Sequence, residues 1–410
     1  MKEKTSPGVV VFALWLLVFS SASQIMIISP ILPRIGEELQ ISDAVLGTLV
    51  SAYALMVGIF AIISGPISDK IGRRQILLWG TGVMTLALLL HSFVVDYWSF
   101  LAVRVFAGVA GGILSGAAVS YVGDYFPYNR RGWATGWIMS GSAFGQIIGI
   151  PLGIVLAGEY GFKTPFAVFA VTMAGAFLLI LAKVPQPDVA LSKDRVTVGN
   201  AFRNYMAMLR RPEIAWASVA FFMMFLGVSL YVVYLPTWLE RDLGAAPNAI
   251  AVLFLVGGIA NVISGPQAGK LSDRIGRKGI ILASCVGLFV VMGLTTVIVT
   301  EFWIAYPMFF MAMVLVAMRI SPFSALLTAL VDDGRRGSLM SLSVALGQVG
   351  FAVGAGLAGW LYDVAGYWSN TVLGAFSVLA MGIIVWTALP EPKGDVGSPV
   401  GPEPAPAAEV

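Results

Sequence analysis

Charged residues are scarce in this sequence. Asp, Glu, Lys and Arg make up 11% of its 410 residues, whereas apolar residues make up 58% and the mean hydropathy is +0.87. A water-soluble chain of this length needs far more polar surface than this composition supplies. The composition therefore excludes an ordinary soluble domain and predicts a protein that folds in a lipid bilayer.

Residues with catalytic or metal-binding chemistry are equally rare. The chain has one cysteine, Cys285, and one histidine, His91. A single cysteine excludes an internal disulfide framework, and an enzyme would need a nucleophile with a base, or a metal cluster, at membrane depth. The chain also lacks a Gly-Lys-Ser/Thr loop for a nucleoside triphosphate. We expect no enzyme, no metal, no cofactor and no direct use of ATP.

The basic residues indicate a membrane topology and not a nucleic-acid-binding surface. The net charge is +3, but the 25 Lys and Arg residues are scattered between apolar runs and form no single basic face. If the N-terminus lies in the cytoplasm, 20 of these 25 residues fall in cytoplasmic segments, as the positive-inside rule requires. We therefore predict a multi-pass protein of the cell membrane (the inner or plasma membrane) with both termini cytoplasmic.

Twelve apolar runs occupy most of the chain, six on each side of a polar central stretch. Each is close to the 20 residues that span about 30 Å of hydrocarbon as a helix, and none shows the alternating pattern of a barrel strand. The pattern predicts an all-α membrane protein of two six-helix bundles. The predicted divisions are a first bundle over 1–184, a cytoplasmic linker with an amphipathic helix over 185–213, a second bundle over 214–390 and a disordered tail over 391–410.

A short charged cassette occurs twice between apolar runs. Residues 65–74 read Gly-Pro-Ile-Ser-Asp-Lys-Ile-Gly-Arg-Arg, and residues 269–278 read Gly-Lys-Leu-Ser-Asp-Arg-Ile-Gly-Arg-Lys. A match at this spacing indicates duplication of one half of the chain. Gly72 and Gly276 permit a tight turn between helices, and Gly65 and Gly269 permit close helix approach.

These features resemble the major facilitator superfamily of secondary transporters. The resemblance implies a monomer of two pseudo-symmetric six-helix bundles that moves a small organic molecule across the membrane by alternating access. The run from Arg104 to Gly112 and the run from Gly141 to Gly153 look like the twelve-helix drug:proton antiporter group. That second resemblance implies efflux of drug-like or other small amphipathic compounds in exchange for protons. This chain departs from the group's helix 5 signature, because Gly145-Gln146 stands where Gly-Pro is usual.

The cassette carboxylates have two interpretations. The resemblance implies a latch in which Asp69 faces the start of helix 11 near Gly337, and Asp273 faces the start of helix 5 near Gly132, when the transporter is open to the outside. The alternative is that the cassette charges only set the topology. The latch set also includes two expected ion pairs, so its members are Gly65, Asp69, Gly72, Arg73 with Asp124, Gly269, Asp273, Gly276, and Arg277 with Asp332 or Asp333.

Helix 5 carries glycines at every fourth position, which form a smooth groove on one helix face. The groove is explained equally well by simple helix packing and by a functional seal against the other half of the protein. Pro151 is expected to bend this helix. The residues concerned are Gly141, Gly145, Gly149, Pro151 and Gly153.

Two arginines lie inside apolar spans, where a charge is costly and usually functional. The resemblance links Arg104 with proton exchange. We expect Arg319 to line the pathway and bind an anionic or polar substrate group, with a structural hydrogen-bond network as the alternative. Further polar residues at pathway depth are Gln24, Tyr53, Gln146, Tyr231, Tyr234, Asn261 and Gln348.

A carboxylate within a core helix, common in proton-coupled members of the family, is missing. Every acidic residue falls in a loop, a tail or a helix end. The nearest candidates for a proton carrier are Asp43, Asp124 and Asp363, together with His91, which we otherwise expect at the membrane interface. The two arginines and the missing acid keep a rival function open, namely uptake or exchange of a small organic anion or a sugar by a symporter or uniporter.

Overall fold

The computed structural model describes residues 6–188, 198–331 and 336–390, and within these ranges every regular element is helical. Twelve of the helical stretches are long and apolar enough to cross a membrane. This confirms the predicted all-α fold. The predicted tail over 391–410 and the residues Asp332 and Asp333 lie outside the described residues, as does the side chain of Asp69.

The first half of the chain forms six spans. Between residues 6 and 188 it has nine α-helices, because two spans are each divided into two helices and the short α2 lies outside the spans. Their bounds are α1 Pro7–Met26, α2 Leu32–Leu39, α3 Asp43–Ile71, α4 Arg73–Leu90, α5 Tyr97–Leu114, α6 Ala117–Tyr125, α7 Tyr128–Phe144, α8 Ile150–Tyr160 and α9 Lys163–Lys183.

The second half repeats this plan. After the linker helix α10 (Val198–Leu209), the bounds are α11 Pro212–Val232, α12 Leu235–Arg241, α13 Pro247–Ile275, α14 Arg277–Ile298, α15 Phe302–Thr328, α16 Arg336–Ala365 and α17 Tyr367–Ala388. The helix predicted in the linker is therefore present. It packs against α3, α11 and α16, so it contacts both halves.

Each cassette is almost entirely helical, with a one-residue turn. In the first cassette α3 continues to Ile71 and α4 begins at Arg73. Gly72 and Gly276 occupy the two turns with φ of +99° and +97°, a backbone conformation that glycine adopts at little cost. This confirms the role predicted for both glycines. We call the end of the bundle that holds these turns the cassette end, and the opposite end, which holds Asp43 and Arg241, the far end.

The two halves meet along two helix pairs, α3 with α16 and α8 with α13. On α3, a Cβ added at Gly47 would collide with the Ala355 carbonyl oxygen, and one added at Gly58 would lie 3.0 Å from the Ala345 carbonyl oxygen. The missing side chains thus let the backbones of the two halves touch.

Hydrogen bonds close the far end. The Tyr234 hydroxyl donates to the Asp43 carbonyl oxygen at 2.5 Å and accepts from the Gly47 amide at 2.8 Å. Arg241 pairs with the Asp43 carboxylate. Ser29 Oγ lies 2.8 Å from the Val233 carbonyl oxygen, its acceptor in the other half. These contacts fasten the first half to α11 and α12 of the second.

The cassette end is more loosely packed between the halves. A Cβ at Gly132 or Gly136 of α7, or at Gly265 of α13, would meet no atom of the described residues within 4 Å. Trp137 is 58% exposed and Ile263 is 56% exposed. Because α13 packs on α8 and the turn before it, the halves touch at the far end and separate toward the cassette end.

Candidate functional site

A cavity of about 380 Å³ lies between the two halves. Its wall is built from both halves and is mostly apolar, with phenylalanine side chains from α11, α13, α15 and α16. Polar groups interrupt this wall at five places, and of the described residues that line it none is acidic. A cavity of this size, apolar with a few convergent polar groups, is typical of a small-molecule site. The polar lining residues are Tyr53, Arg104, Gln146, Asn261 and Gln348.

Arg104 is held on α5 by groups of the first half. Its side chain is fully buried, its Nε donates to the Leu49 carbonyl oxygen at 3.3 Å, and its Nη1 lies 3.5 Å from Gln24 Oε1. The guanidinium carbon sits 4.4 Å from the centroid of the Tyr53 ring. Gln24 Nε2 in turn donates to the Tyr53 hydroxyl at 2.9 Å. Gln24, Tyr53 and Arg104 therefore form one connected cluster beside the cavity.

The glycines that follow Arg104 explain how the cluster is assembled. A Cβ at Gly108 would lie 2.5 Å from the Tyr53 carbonyl oxygen, and one at Gly111 would lie 2.5 Å from the Tyr53 hydroxyl. Only glycine allows α5 to approach α3 this closely. The Arg-x-x-x-Gly-x-x-Gly spacing in α5 thus places the arginine against the tyrosine ring.

The amides connect the two halves across the cavity. Asn261 Nδ2 on α13 donates to Gln146 Oε1 at 3.4 Å, and Gln348 on α16 lines the same cavity. Gln146 lies in a wide π-type turn over Gly145–Gly149, directly before α8. Pro151, near the start of α8, lacks an N–H and its ring crowds the preceding turn, which favours such a widened turn. The helix is thus irregular directly before Pro151, and the bend predicted there stays a prediction.

The glycine groove of helix 5 faces its own half. A Cβ at Gly141 would lie 2.7 Å from the Trp15 carbonyl oxygen, and one at Gly145 would lie 3.0 Å from the Ala22 Cβ. Gly149 and Gly153 face Ser23 and Ile27 in the same way, so all four contacts fall in α1 or directly after its end. The interpretation of the groove as a seal against the other half is wrong, because the spacing of four keeps the glycines on the face that α1 covers. On another face of helix 5, Gln146 and Ile147 lie against Gly258 of α13.

Arg319 is buried outside the cavity lining. Its Nη2 lies 3.5 Å from the Met224 carbonyl oxygen, and the Cys285 thiol is its other close neighbour. Its Nε and Nη1 find no oxygen or nitrogen acceptor among the described residues. The structure thus places Arg319 among α11, α14 and α15 and does not bring it to the pathway, contrary to the expectation from the sequence.

The two predicted pathway tyrosines also lie away from the cavity lining. Tyr231 is buried with its hydroxyl 3.2 Å from Thr295 Oγ1, and Tyr234 forms hydrogen bonds at the far end. Five predicted residues do line the cavity, namely Tyr53, Arg104, Gln146, Asn261 and Gln348. Sequence reasoning missed the phenylalanines of the wall, because nothing in an apolar helix marks which face points to a cavity.

The cassette side chains take different environments. Arg73 Nε lies 2.6 Å from Asp124 Oδ2 and its Nη1 donates to Ser68 Oγ at 2.9 Å, so the expected pair is present. Asp273 is 68% exposed and lies 3.9 Å from Arg277 Nη2. Arg277 Nη1 also donates to the Ala325 carbonyl oxygen at 3.1 Å. In this conformation Asp273 is therefore turned to solvent.

His91 is a core residue and not an interfacial one. It is fully buried, its ring stacks on Phe166 with 4.0 Å between centroids, and its Nδ1 lies 2.8 Å from the Ala87 carbonyl oxygen. The expectation of an interfacial side chain is wrong because the chain after α4 folds inward over α9 as a short 3₁₀ turn. A ring packed in this way is poorly placed to exchange protons with water.

Two repeated six-span bundles around a central cavity that is closed at one end define a membrane transporter of the alternating-access type. The sequence profile of the Major Facilitator Superfamily matches residues 14–318 and 218–410 of the chain. The protein therefore belongs to the Major Facilitator Superfamily, whose members are transporters and not enzymes.

Several bacterial proteins are similar over most of their length. The chain is 25% identical over 362 residues to the uncharacterized MFS-type transporter YceJ of Bacillus subtilis, covering 85% of this chain and 89% of YceJ. It is 27% identical over 353 residues to the multidrug resistance protein MdtG of Proteus mirabilis, covering 84% and 86%. A crystal structure of a D-xylose-proton symporter superposes with a TM-score of 0.78 at 17% identity, over 94% of this chain and 98% of the symporter, which shows the shared fold.

Proposed function

We propose that this protein exports small amphipathic or drug-like molecules across the plasma membrane in exchange for protons. The observation that carries the proposal is the cavity between the halves, which is apolar, large enough for a drug-sized group and closed at the far end. The similarity to MdtG, which is named as a multidrug resistance protein, supports export of foreign compounds.

The positive-inside rule assigns the cassette end to the cytoplasm, together with both termini. The conformation of this structure is then the inward-facing one, with a cavity able to receive compounds from the cytoplasm. We divide the protein functionally into the bundles 1–184 and 214–390, joined by the linker 185–213. Transport requires the two bundles to rock, so that the α3–α16 and α8–α13 contacts open at the far end and close at the cassette end.

The latch is proposed to act in the opposite conformation. The exposure of Asp273 and the open space around Gly132 fit an inward-facing state in which that carboxylate is undocked. Rocking would bring Asp273 toward the start of α7, where the positive end of a helix dipole favours an anion. Asp69 is assigned the equivalent role toward α16, and the Arg73–Asp124 pair braces the first cassette within its own bundle.

Asp43 is better suited to a gate than to proton carriage. It joins the halves at the far end through Arg241, so it is sealed from the cassette end in the conformation where an antiporter must release its proton to the cytoplasm. Among the described residues that line the cavity none carries a carboxylate. The exchanged proton is therefore assigned to bound water or to the substrate, and the Gln24–Tyr53–Arg104 cluster, whose side chains neither gain nor lose a proton near neutral pH, is assigned the role of positioning it.

Reconstituted protein tests the proposal. Liposomes that hold a pH-sensitive dye should report proton movement when a transported compound is added, in the direction opposite to the compound. Movement in the same direction would identify a symporter, and compound flux without proton movement would identify a uniporter or exchanger. The second candidate function is uptake or exchange of an organic anion, which the positive charge in the cavity favours. Symport, or flux without proton movement, would support this second candidate.

A further inference from the structure

The central cavity has one charged group among the described residues of its wall, and that group is positive. Arg104 lines the cavity, and the other polar lining residues are a tyrosine and three amides, all neutral at ordinary pH. A molecule that enters the cavity therefore meets an apolar surface with a single fixed cation.

The contacts of Arg104 leave its charge uncompensated. The Leu49 carbonyl and the Gln24 amide are dipoles, and the second of them is 3.5 Å away. The Tyr53 face adds a cation–π contact. Among the described residues, no carboxylate forms an ion pair with Arg104. In a site of low dielectric constant this charge attracts an anion and repels a cation much more strongly than it would in water.

The geometry also distinguishes Arg104 from Arg319. Both are fully buried, but only Arg104 lines the cavity. A guanidinium has five N–H donors in a planar fork, and the acceptors on Leu49 and Gln24 occupy a minority of them. The remaining donors match the two oxygens of a carboxylate. Arg104 thus borders the cavity and has donors beyond those that bond to Leu49 and Gln24, and a ligand contact requires the fully buried guanidinium to be uncovered on the cavity side.

We propose, on the assumption that the transport function proposed above holds, that the preferred substrates have an apolar or aromatic body and an anionic group. The anionic group, a carboxylate or similar oxyanion, binds Arg104 between α1, α3 and α5. The apolar body lies against the phenylalanines that face it from the second half, Phe225, Phe254 and Phe309. The same arrangement selects against amphipathic cations.

Three probes with one skeleton test this inference, namely 2-naphthoate, its methyl ester and trimethyl(2-naphthyl)ammonium. Binding to the full chain in lipid nanodiscs is measured by calorimetry at about pH 7, where the carboxylate is ionised and Arg104 is charged, with empty nanodiscs to subtract partition into lipid. Wild-type protein should bind naphthoate at least tenfold tighter than the ammonium probe. Arg104→Gln should weaken naphthoate binding at least tenfold and change ester binding less than twofold, whereas Arg104→Lys should keep part of the preference for naphthoate.

Arg319→Met is the matched control, because it removes a buried arginine that does not line the cavity and should leave the order of the three probes unchanged. Equal weakening of all three probes by Arg104→Gln would assign Arg104 a purely structural role and overturn the inference. A wild type that prefers the ammonium probe, or does not bind naphthoate, would overturn it without any variant. The order of the three probes on the wild-type protein tests the inference even if Arg104→Gln does not fold.

Flux in proteoliposomes separates this inference from the transport function. Protein that binds naphthoate selectively but moves none of the probes would contradict transport and leave the anion site standing. Protein that moves the ester or the ammonium probe with no preference for naphthoate would contradict the anion site and leave transport standing.

Discussion

At the scale of single residues, the turn at Gly72 tolerates no side chain without strain. Its φ of +99° is unfavourable for any residue with a Cβ, and an added Cβ would lie 2.5 Å from Gln186 Nε2. With ψ at 147°, Gly72 lies in a backbone region that is nearly restricted to glycine, so we expect Gly72→Ala to destabilise the protein by about 1–3 kcal/mol. Thermal unfolding in detergent measures the effect. Gly293→Ala is the control, since a Cβ there meets nothing within 4 Å, and an equal loss in both variants would contradict the argument.

Arg319 leads to a prediction in the opposite direction. A buried donor without an acceptor costs about 1–3 kcal/mol, and Arg319 has two such nitrogens. Replacement of a buried charge by an apolar side chain of similar volume is often neutral or stabilising. We therefore expect Arg319→Met to unfold at the same or a higher temperature than wild type, with unchanged substrate affinity. A large drop in affinity would return Arg319 to the transport pathway.

At the scale of helices, the contact of helix 5 with α1 depends on the absence of side chains. A Cβ at Gly149 would collide with Ser23 Oγ and lie 2.7 Å from Ser23 Cβ. Overpacking of this kind costs about 1–3 kcal/mol, so Gly149→Ala should lower the unfolding temperature. Gly158→Ala, on the same helix with nothing within 4 Å of its added Cβ, should not. If both variants behave like wild type, the helices can separate without cost and the groove is not a packing device.

The same scale explains which features the sequence can predict. Span positions follow from length and hydropathy alone, and the glycine turns follow from a repeated motif, so both are predictable. The rotation of each helix is not, because it is set by packing partners far away in the chain. For that reason the sequence marks the helix 5 glycines and His91 as special residues without revealing which neighbours they contact.

The repeat itself shows why Arg319 lies away from the cavity. The equivalent helices α5 and α15 begin at Tyr97 and Phe302, so the counterpart of Arg104 in the second half is Phe309, which lines the cavity. Arg319 lies ten residues further along α15, or about 15 Å at 1.5 Å per residue. Arg104 and Arg319 therefore lie at different depths along two equivalent helices, although both are inside apolar runs.

At the scale of the whole molecule, the balance between the two conformations depends on the far-end contacts. Asp43 and Arg241 pair across the halves, with the carboxylate side chain only 11% exposed. Neutral variants lose the attraction between these charges, so the closed far end is destabilised relative to the open one. If the loss is about 1 kcal/mol, within the range for partly exposed pairs, the population with an open far end rises about fivefold.

Spin labels at the far end measure this population. We place them at Val95→Cys and Thr300→Cys, in exposed loops of the two halves, and Cys285 is too buried to react. Asp43→Asn and Arg241→Gln should each increase the long-distance fraction in double electron–electron resonance, and the charge swap Asp43→Arg with Arg241→Asp should partly reverse it. Glu37→Gln is the control, because its partner Arg34 lies in the same half. Since rocking links the two ends, a longer far-end distance must come with a shorter one at the cassette end. A longer distance at the far end alone would mean that the contacts there open locally and that the halves do not move as rigid bodies.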